Sequence, residues 1–363
     1  MAGVGEGDVD DAGAERLELG DGGAPMRHFL WYGHCLWEMY VLMKAAVLHA
    51  LGQPPHFEDF ADPQAIEGEV LVRVKAASLK NVDKMMASGS HYNRFPHLPC
   101  VCGVDGVGLL DDGTRVYCGG ARPPYGMMAE RTVVSRAWCL PVPEQVDDVT
   151  AAALPNPALS GWLALVWRAQ LRPGEIVLIL GATGVAGQLA VQIAKHLGAE
   201  RVVAAGRNRR VLATLQGLGA DATLPLDLSD QELTRAFVRE AGSKGFDIVL
   251  DYVWGHPTEV LLEALTRHDL KIAASRTRLV EIGEMAGPTI ALSAAALRSS
   301  GLELYGSGGG SVPRQAIFEA FPQVWALAAD GKLRIQTEPV PLADVESAWQ
   351  RRGLDGRRLV IIP

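Results

Sequence analysis

The chain has 363 residues, enough for two domains with a sizeable core, and its composition is typical of a globular protein. The net charge of -8 arises mainly in residues 1–25, which hold seven acids and one base, so the remaining chain is nearly neutral. That balance gives no electrostatic basis for binding nucleic acid or an anionic membrane. Five irregularly spaced cysteines make no disulfide framework, which favours reduced thiols and a cytoplasmic location.

The first 42 residues differ from the rest. Residues 1–25 are rich in glycine and acids, with almost no core-forming side chains, which predicts disorder. Residues 28–42 are apolar and aromatic, but they are short for a membrane span and follow an acidic segment, unlike a signal peptide. We predict that residues 1–42 are a disordered or non-core extension. An organelle-targeting or partner-binding role is the alternative.

From Met43 the chain has strand character at 44–50, 69–78, 115–119 and 130–135, with turns rich in glycine and proline between these segments. This pattern predicts a β-rich unit. Residues 150–169 have helical character, interrupted at two prolines.

After residue 175, short apolar strands alternate with amphipathic helices, which predicts a doubly wound parallel sheet. The predicted strands are 176–180, 201–206, 222–226, 246–253, 278–283 and 302–307. A last strand, 359–363, is expected to return to the β-rich unit. The predicted domains are therefore a β-rich domain at 43–155, completed by about 311–363, and a nucleotide-binding domain at 156–310.

A glycine loop lies between the first of these strands and its helix. Gly181, Gly184 and Gly187 are spaced three residues apart, as a tight turn, a close approach to a pyrophosphate and helix–strand packing require. Thr183, Gly184 and Val185 open the helix, whose free N–H groups are expected to bind the phosphates. The loop predicts a dinucleotide cofactor.

The next strand distinguishes NADPH from NADH. An NAD site usually has an acid about 20 residues after the loop, where it binds the ribose 2′-hydroxyl. Here Arg207 and Asn208 follow the strand instead. A guanidinium suits a 2′-phosphate, so the predicted cofactor is NADPH, with contacts from both residues.

From Met43 to Pro363 the chain resembles the medium-chain dehydrogenase/reductase superfamily, and within it the zinc-independent quinone oxidoreductase and enoyl reductase branch. The resemblance rests on residues 69–89, 98–108, 156–165, 177–199 and 341–362. It implies an α/β protein with a GroES-like β-rich catalytic domain, a Rossmann domain, an active site in the cleft between them, and a homodimer.

The resemblance also bears on zinc. Alcohol dehydrogenases of the superfamily hold catalytic zinc with a cysteine at the position of Lys80 and with a Gly-His-Glu triplet. Here that triplet is Gly103-Val104-Asp105. Valine cannot bind a metal, and the lobe of four cysteines that binds structural zinc is missing. We therefore predict that the protein has no metal site.

Without a metal, reduction of an activated alkene or quinone is the easier chemistry, since hydrogen-bond donors can meet the charge that develops on oxygen. The resemblance places Lys80 beside the nicotinamide, where it and Asn81 could stabilise an enolate, and Tyr92 is another candidate acid. Each has a simpler alternative: Lys80 contacting only the cofactor, or Tyr92 lining the pocket.

Other predicted cofactor contacts come from position. Asn156 and Ser160 lie in a stretch that the resemblance places on the nicotinamide side. A second group of residues lies at the carboxyl ends of the predicted parallel strands, where ligands bind in such sheets. This second group is Tyr252, Ile282, Gly283 and Ser307.

The favoured function is a zinc-independent NADPH-dependent oxidoreductase that reduces a small electrophile, such as a quinone or enone. A metal-free alcohol dehydrogenase is one alternative. The other is a protein that binds NADPH without turnover, as a sensor or structural partner.

Overall fold

A computed structural model describes residues 41–95, 97–266 and 275–363. The predicted extension lies outside these residues, apart from positions 41 and 42. The strands are β1 (Leu42–Leu48), β2 (His56–Ala61), β3 (Glu69–Leu79), β4 (Cys100–Val101), β5 (Asp105–Leu109), β6 (Arg115–Gly119), β7 (Arg131–Ser135), β8 (Leu140–Pro141), β9 (Ile176–Leu180), β10 (Arg201–Gly206), β11 (Ala222–Pro225), β12 (Ile248–Asp251), β13 (Thr277–Glu281), β14 (Leu302–Gly306), β15 (Thr337–Pro341) and β16 (Arg358–Ile362). The helices are α1 (Asn81–Ser88), α2 (Asp148–Ala153), α3 (Pro155–Leu163), α4 (Val185–His196), α5 (Arg209–Leu212), α6 (Asp230–Ala241), α7 (Gly255–Leu265), α8 (Ala294–Ser299), α9 (Arg314–Ala329) and α10 (Val345–Gln350).

The β-rich part is built around β3. Its first half alternates buried valines with exposed Arg73 and Lys75, so one face packs inward, and its last four residues are buried. The strand order is β15-β16-β3-β5-β6-β8, with β7 also paired to β3. Strand β16 runs antiparallel to β3, with Leu359 opposite Leu79. The chain end therefore returns to this sheet, as predicted.

The second sheet is parallel, in the order β11-β10-β9-β12-β13-β14. Its first strand along the chain, β9, is buried at all five residues because helices cover both faces. Its two neighbours are β10 on one side and β12 on the other, so the strand order reverses there. This reversal leaves a crevice at the carboxyl end of β9. Open α/β sheets bind their ligands in a crevice of this kind.

The helices between the two sheets share one core. Proline at position 155 opens α3 directly after α2, so it starts a new helix where the sequence predicted an interruption. Helix α3 packs against α4 and α9. The resulting cluster joins Val107 and Tyr117 of the β-rich sheet to Ile179 of the parallel sheet. Among the residues described, no helix is both long and apolar enough to cross a membrane.

Candidate cofactor and substrate cleft

A cleft of about 1070 Å³ lies at the carboxyl edge of the parallel sheet and is also lined by residues of the β-rich part. It brings together all but one of the predicted site residues. Those that line it are Lys80, Asn81, Tyr92, Asn156, Ser160, Gly181, Thr183, Gly184, Val185, Gly187, Arg207, Tyr252, Ile282, Gly283 and Ser307.

The glycine loop has the shape that a pyrophosphate site needs. Gly181 has φ +86°, a left-handed conformation that favours glycine. A Cβ on Gly187 would lie 2.4 Å from the carbonyl oxygen of Gly181, and one on Gly206 would lie 2.5 Å from Cγ2 of Thr183. Helix α4 begins at Val185, so its first N–H groups open into the cleft. The residues present therefore fit a dinucleotide phosphate group.

Arg207 is the exposed guanidinium at this end of the cleft. Its neighbours are engaged elsewhere: Arg209 pairs with Asp227 at 3.0 Å, and Arg210 pairs with Asp355 at 3.1 Å. Within the described residues, Arg207 has no carboxylate partner at salt-bridge distance. Its guanidinium is therefore available to an anion, and its contact with a 2′-phosphate stays a prediction.

Asn208 is the predicted cofactor contact that does not line the cleft. Its side-chain oxygen accepts hydrogen bonds from the backbone N–H groups of Arg210 and Val211, which caps α5. Its amide donates to Asp355 at 2.7 Å. The side chain is thus bonded within the protein at both ends, and its contact with a cofactor stays a prediction.

Residues 354 and 356–359 were not among the predicted site residues, yet they line the cleft beside the glycine loop. The side chain of Gln188 donates to the carbonyl oxygen of Gly356 at 3.3 Å. A Cβ on Gly356 would overlap that side chain and approach the carbonyl oxygen of Thr183 to 2.8 Å. The sequence signal here was the Gly-Arg-Arg triplet at 356–358, where β16 begins. A local pattern does not show which distant segment a loop packs against.

Lys80 lies at the edge of the cleft, but its ammonium points into a buried polar cluster. Nζ donates to Oδ1 of Asp105 at 3.0 Å and to both the carbonyl and the hydroxyl of Ser78 at 3.1 Å. An ammonium has three N–H donors, so these partners use all of them. The geometry favours a positioning role, and the predicted role of Lys80 as an acid stays a prediction.

Asp83 completes this cluster. Its carboxylate accepts from the backbone N–H of Lys80 at 2.8 Å and of Val104 at 3.0 Å, which ties the start of α1 to the segment before β5. Burial raises the pKa of Asp83, although Lys80 opposes the shift. Arg358 also packs nearby, and burial lowers its pKa. Lys80 and Arg358 therefore lie together with Asp83 and Asp105 in a buried cluster next to the cleft.

The substrate side of the cleft is formed by α1 and the turn after it. Asn81 faces Met285 across the cleft, with its amide nitrogen 3.4 Å from the sulfur. Tyr92 is 79% exposed at the mouth, opposite the glycine-rich turn after β14. Met85 lines the cleft, whereas Met86 is buried in the core. This side therefore offers apolar surface together with donors from Asn81, Lys84 and His91.

The opposite wall comes from the parallel sheet. The hydroxyl of Tyr252 is buried next to Ser160 of α3, and burial raises the pKa of this tyrosine. Ile282 and Gly283 follow β13, and Ser307 follows β14, as predicted. Two acids that sequence reasoning missed, Glu281 and Glu284, also line the cleft, and burial raises the pKa of Glu281.

Comparisons with known proteins agree with this architecture. Residues 66–144 match the alcohol dehydrogenase GroES-like domain, and residues 185–330 match the zinc-binding dehydrogenase family model. The quinone oxidoreductase from Thermus thermophilus, whose structure was also solved in complex with NADPH, is 31% identical. The match covers 88% of this chain and 100% of that one, with a TM-score of 0.71. The chain belongs to the medium-chain dehydrogenase/reductase superfamily, in its quinone oxidoreductase branch.

Other members of this superfamily match along much of their length. A probable NADPH-dependent quinone reductase of Emericella nidulans is 27% identical over 88% of this chain and 100% of its own length. The quinone oxidoreductase of Sus scrofa is 28% identical over 67% of this chain and 73% of its own length. The predicted fold, a GroES-like domain with a Rossmann sheet, is confirmed.

In this superfamily member, the position of the zinc-binding cysteine holds the buried Lys80. Across residues 41–95, 97–266 and 275–363, no group of three or more histidines, cysteines or acids is placed to hold a metal ion. Independence from zinc stays a prediction, which metal analysis of the purified protein can check.

Proposed function

We propose that this chain is an NADPH-dependent oxidoreductase that reduces a quinone, an enone or another activated alkene by hydride transfer. The observation that carries the proposal is the cleft, which has a glycine loop and an uncommitted Arg207 on one side and, on the other, apolar surface from Met85 beside the donor Asn81. The quinone reductases among its relatives support the same reaction class and cofactor. The homodimer expected from the resemblance stays a prediction.

The Rossmann side of the cleft holds the cofactor, and NADPH bound there supplies the hydride. The N–H groups at the start of α4 bind the pyrophosphate, because the loop glycines leave room for it. Arg207 binds the 2′-phosphate with its guanidinium. Ser160 and Ile282 also line the cleft and would border the nicotinamide of a bound cofactor.

The β-rich side orients the acceptor. The amide of Asn81 is a donor that can meet an acceptor oxygen once Met285 moves aside. Lys80 holds this asparagine in place, because its ammonium donates to the carbonyl of Ser78 and its backbone N–H donates to Asp83, which together fix the chain just before α1. Apolar contacts from Met85 and the ring of Tyr92 suit a flat substrate.

An acceptor screen tests the proposal. The full chain is mixed with NADPH and, separately, with a panel of quinones and a panel of enones, and loss of reduced-nicotinamide absorbance is followed. We expect saturable oxidation with at least one panel. Saturable binding of NADPH without oxidation on any acceptor would point to a sensor and overturn the proposal. Oxidation of alcohols by NADP⁺ alone, with no reduction of either panel, would point to an alcohol dehydrogenase.

A further inference from the structure

Two cysteines far from the cofactor loop face each other in the β-rich sheet. Strands β6 and β8 are antiparallel, with Val116 opposite Pro141 and Tyr117 opposite Leu140. The next step of this register places Cys118 opposite Cys139. Both side chains pack into the same hydrophobic cluster, so they lie on the same face of the sheet.

The two cysteines lie close together because they form a non-hydrogen-bonded pair of the antiparallel ladder. The backbone N–H of Val142 donates to the carbonyl of Arg115 at 3.2 Å, so these two form a hydrogen-bonded pair. Hydrogen-bonded and non-hydrogen-bonded pairs alternate along an antiparallel ladder, which makes Cys118 and Cys139 a non-hydrogen-bonded pair. Such pairs have Cα atoms about 4.5 Å apart, within the range of about 4.4–6.8 Å that disulfides span.

The two thiols have different environments. Cys118 is fully buried, whereas Cys139 is partly exposed behind the 3₁₀ turn Arg136–Trp138. The thiol of Cys118, donating a hydrogen bond, lowers the pKa of Cys139, and the charge of Arg136 lowers it further. By contrast, burial raises the pKa of Cys100 to about 11. The accessible member of the pair is therefore the better nucleophile.

We propose that Cys139 is a redox modification site that a hydroperoxide oxidises, and that Cys118 is the partner that closes a reversible intrachain disulfide. The thiolate of Cys139 attacks the peroxide oxygen, the O–O bond breaks, and the hydroperoxide leaves as an alcohol or water. The resulting sulfenic acid is attacked by the sulfur of Cys118, which loses its proton, and the S–OH bond breaks to release water. Two thiols are oxidised and one peroxide is reduced.

Mass spectrometry of the oxidised full chain tests this proposal. The protein is treated with hydrogen peroxide, remaining thiols are alkylated under denaturing conditions, and the unreduced digest is examined. We expect a peptide pair joined through Cys118 and Cys139, two hydrogens lighter than its reduced parts and lost on reduction with dithiothreitol. Cys139→Ser should abolish the pair, and the matched variant Cys100→Ser should keep it.

Cys118→Ser separates the two steps, because it should leave Cys139 as a sulfenic acid that a dimedone probe labels. If this buried substitution prevents folding, the reactivity of Cys139 is measured in the native wild-type protein instead. There Cys139 should react with iodoacetamide on the order of tenfold faster than Cys100. The proposal is overturned if Cys139 joins another cysteine, if it reaches sulfinic acid with no disulfide, or if it stays reduced while other thiols oxidise.

Discussion

Lys80 is a lining residue of the cleft whose ammonium is bound within the protein. Its side chain is only 2% exposed, and its donors are held by Ser78 and Asp105. A buried ion pair of this kind gives little net stability, but removal of one partner leaves an uncompensated charge. The lysine therefore acts mainly on the fold around the cleft, where it holds the segment that carries Asn81.

Lys80→Met should lower the free energy of unfolding by about 3–5 kcal/mol, because Asp105 would stay buried without its cation. The double variant Lys80→Met/Asp105→Asn should recover most of that loss, since it removes both charges. Denaturant unfolding of the two variants measures the difference. Lys75→Met, on the exposed face of β3, is the control and should change stability by less than about 0.5 kcal/mol.

Activity distinguishes this role from acid catalysis. If Lys80 positions Asn81, Lys80→Arg should retain most of kcat and the shape of the pH profile, because arginine keeps a cation with several N–H donors. A stable Lys80→Arg whose kcat is low, with the alkaline limb of the profile lost, would instead assign Lys80 as the proton donor, because a guanidinium is a far weaker acid.

At the scale of elements, the loop before β16 connects the β-rich sheet to the cofactor side. Asp355 adopts φ +48° and accepts hydrogen bonds from Asn208 and Arg210, one on each carboxylate oxygen. Gly356 packs on the glycine loop. The loop thus braces the strand end that presents Arg207.

Asp355→Ala should raise the KM for NADPH about threefold with little change in kcat, because only the placement of the cofactor side is loosened. Asp355→Asn should have a smaller effect, since asparagine tolerates the left-handed conformation and keeps an acceptor for Asn208. Steady-state kinetics with Asp330→Ala, a surface control, checks this. An unchanged KM in folded Asp355→Ala would contradict the bracing role.

Sequence patterns predicted the elements better than the loops. Strands β9 and β10 have the predicted bounds because each is a short apolar run buried on both faces, a strong local signal. The end of α2 and the start of α3 at Pro155 also follow from local chemistry.

The remaining site features depend on contacts between distant segments, which no local pattern encodes. Asn208 had the right residue type for a cofactor contact, but it caps α5 and binds Asp355, 147 positions away. Likewise, Lys80 lines the cleft, whereas the direction of its side chain depends on Asp105 in β5.

For the whole molecule, the central feature is one core that joins the sheet around β3 to the parallel sheet. The cleft opens at the edge where the parallel strands end. If hydrogen-bond donors of the chain support the reaction by themselves, no bound metal ion is needed. Dialysis against a chelator should then leave kcat for NADPH oxidation unchanged within about twofold. A loss of activity that zinc restores, with zinc bound stoichiometrically, would contradict this mechanism.

The choice between NADPH and NADH tests most directly whether this cleft binds its cofactor as proposed. Both nucleotides are titrated by fluorescence into the wild type, Arg207→Ala and the control Arg209→Ala, whose guanidinium already pairs with Asp227. We expect the wild type to prefer NADPH by at least about tenfold, which is the value of one charge-assisted contact. Arg207→Ala should lose that preference and Arg209→Ala should keep it. Equal affinities for NADPH and NADH in the wild type would contradict the assignment.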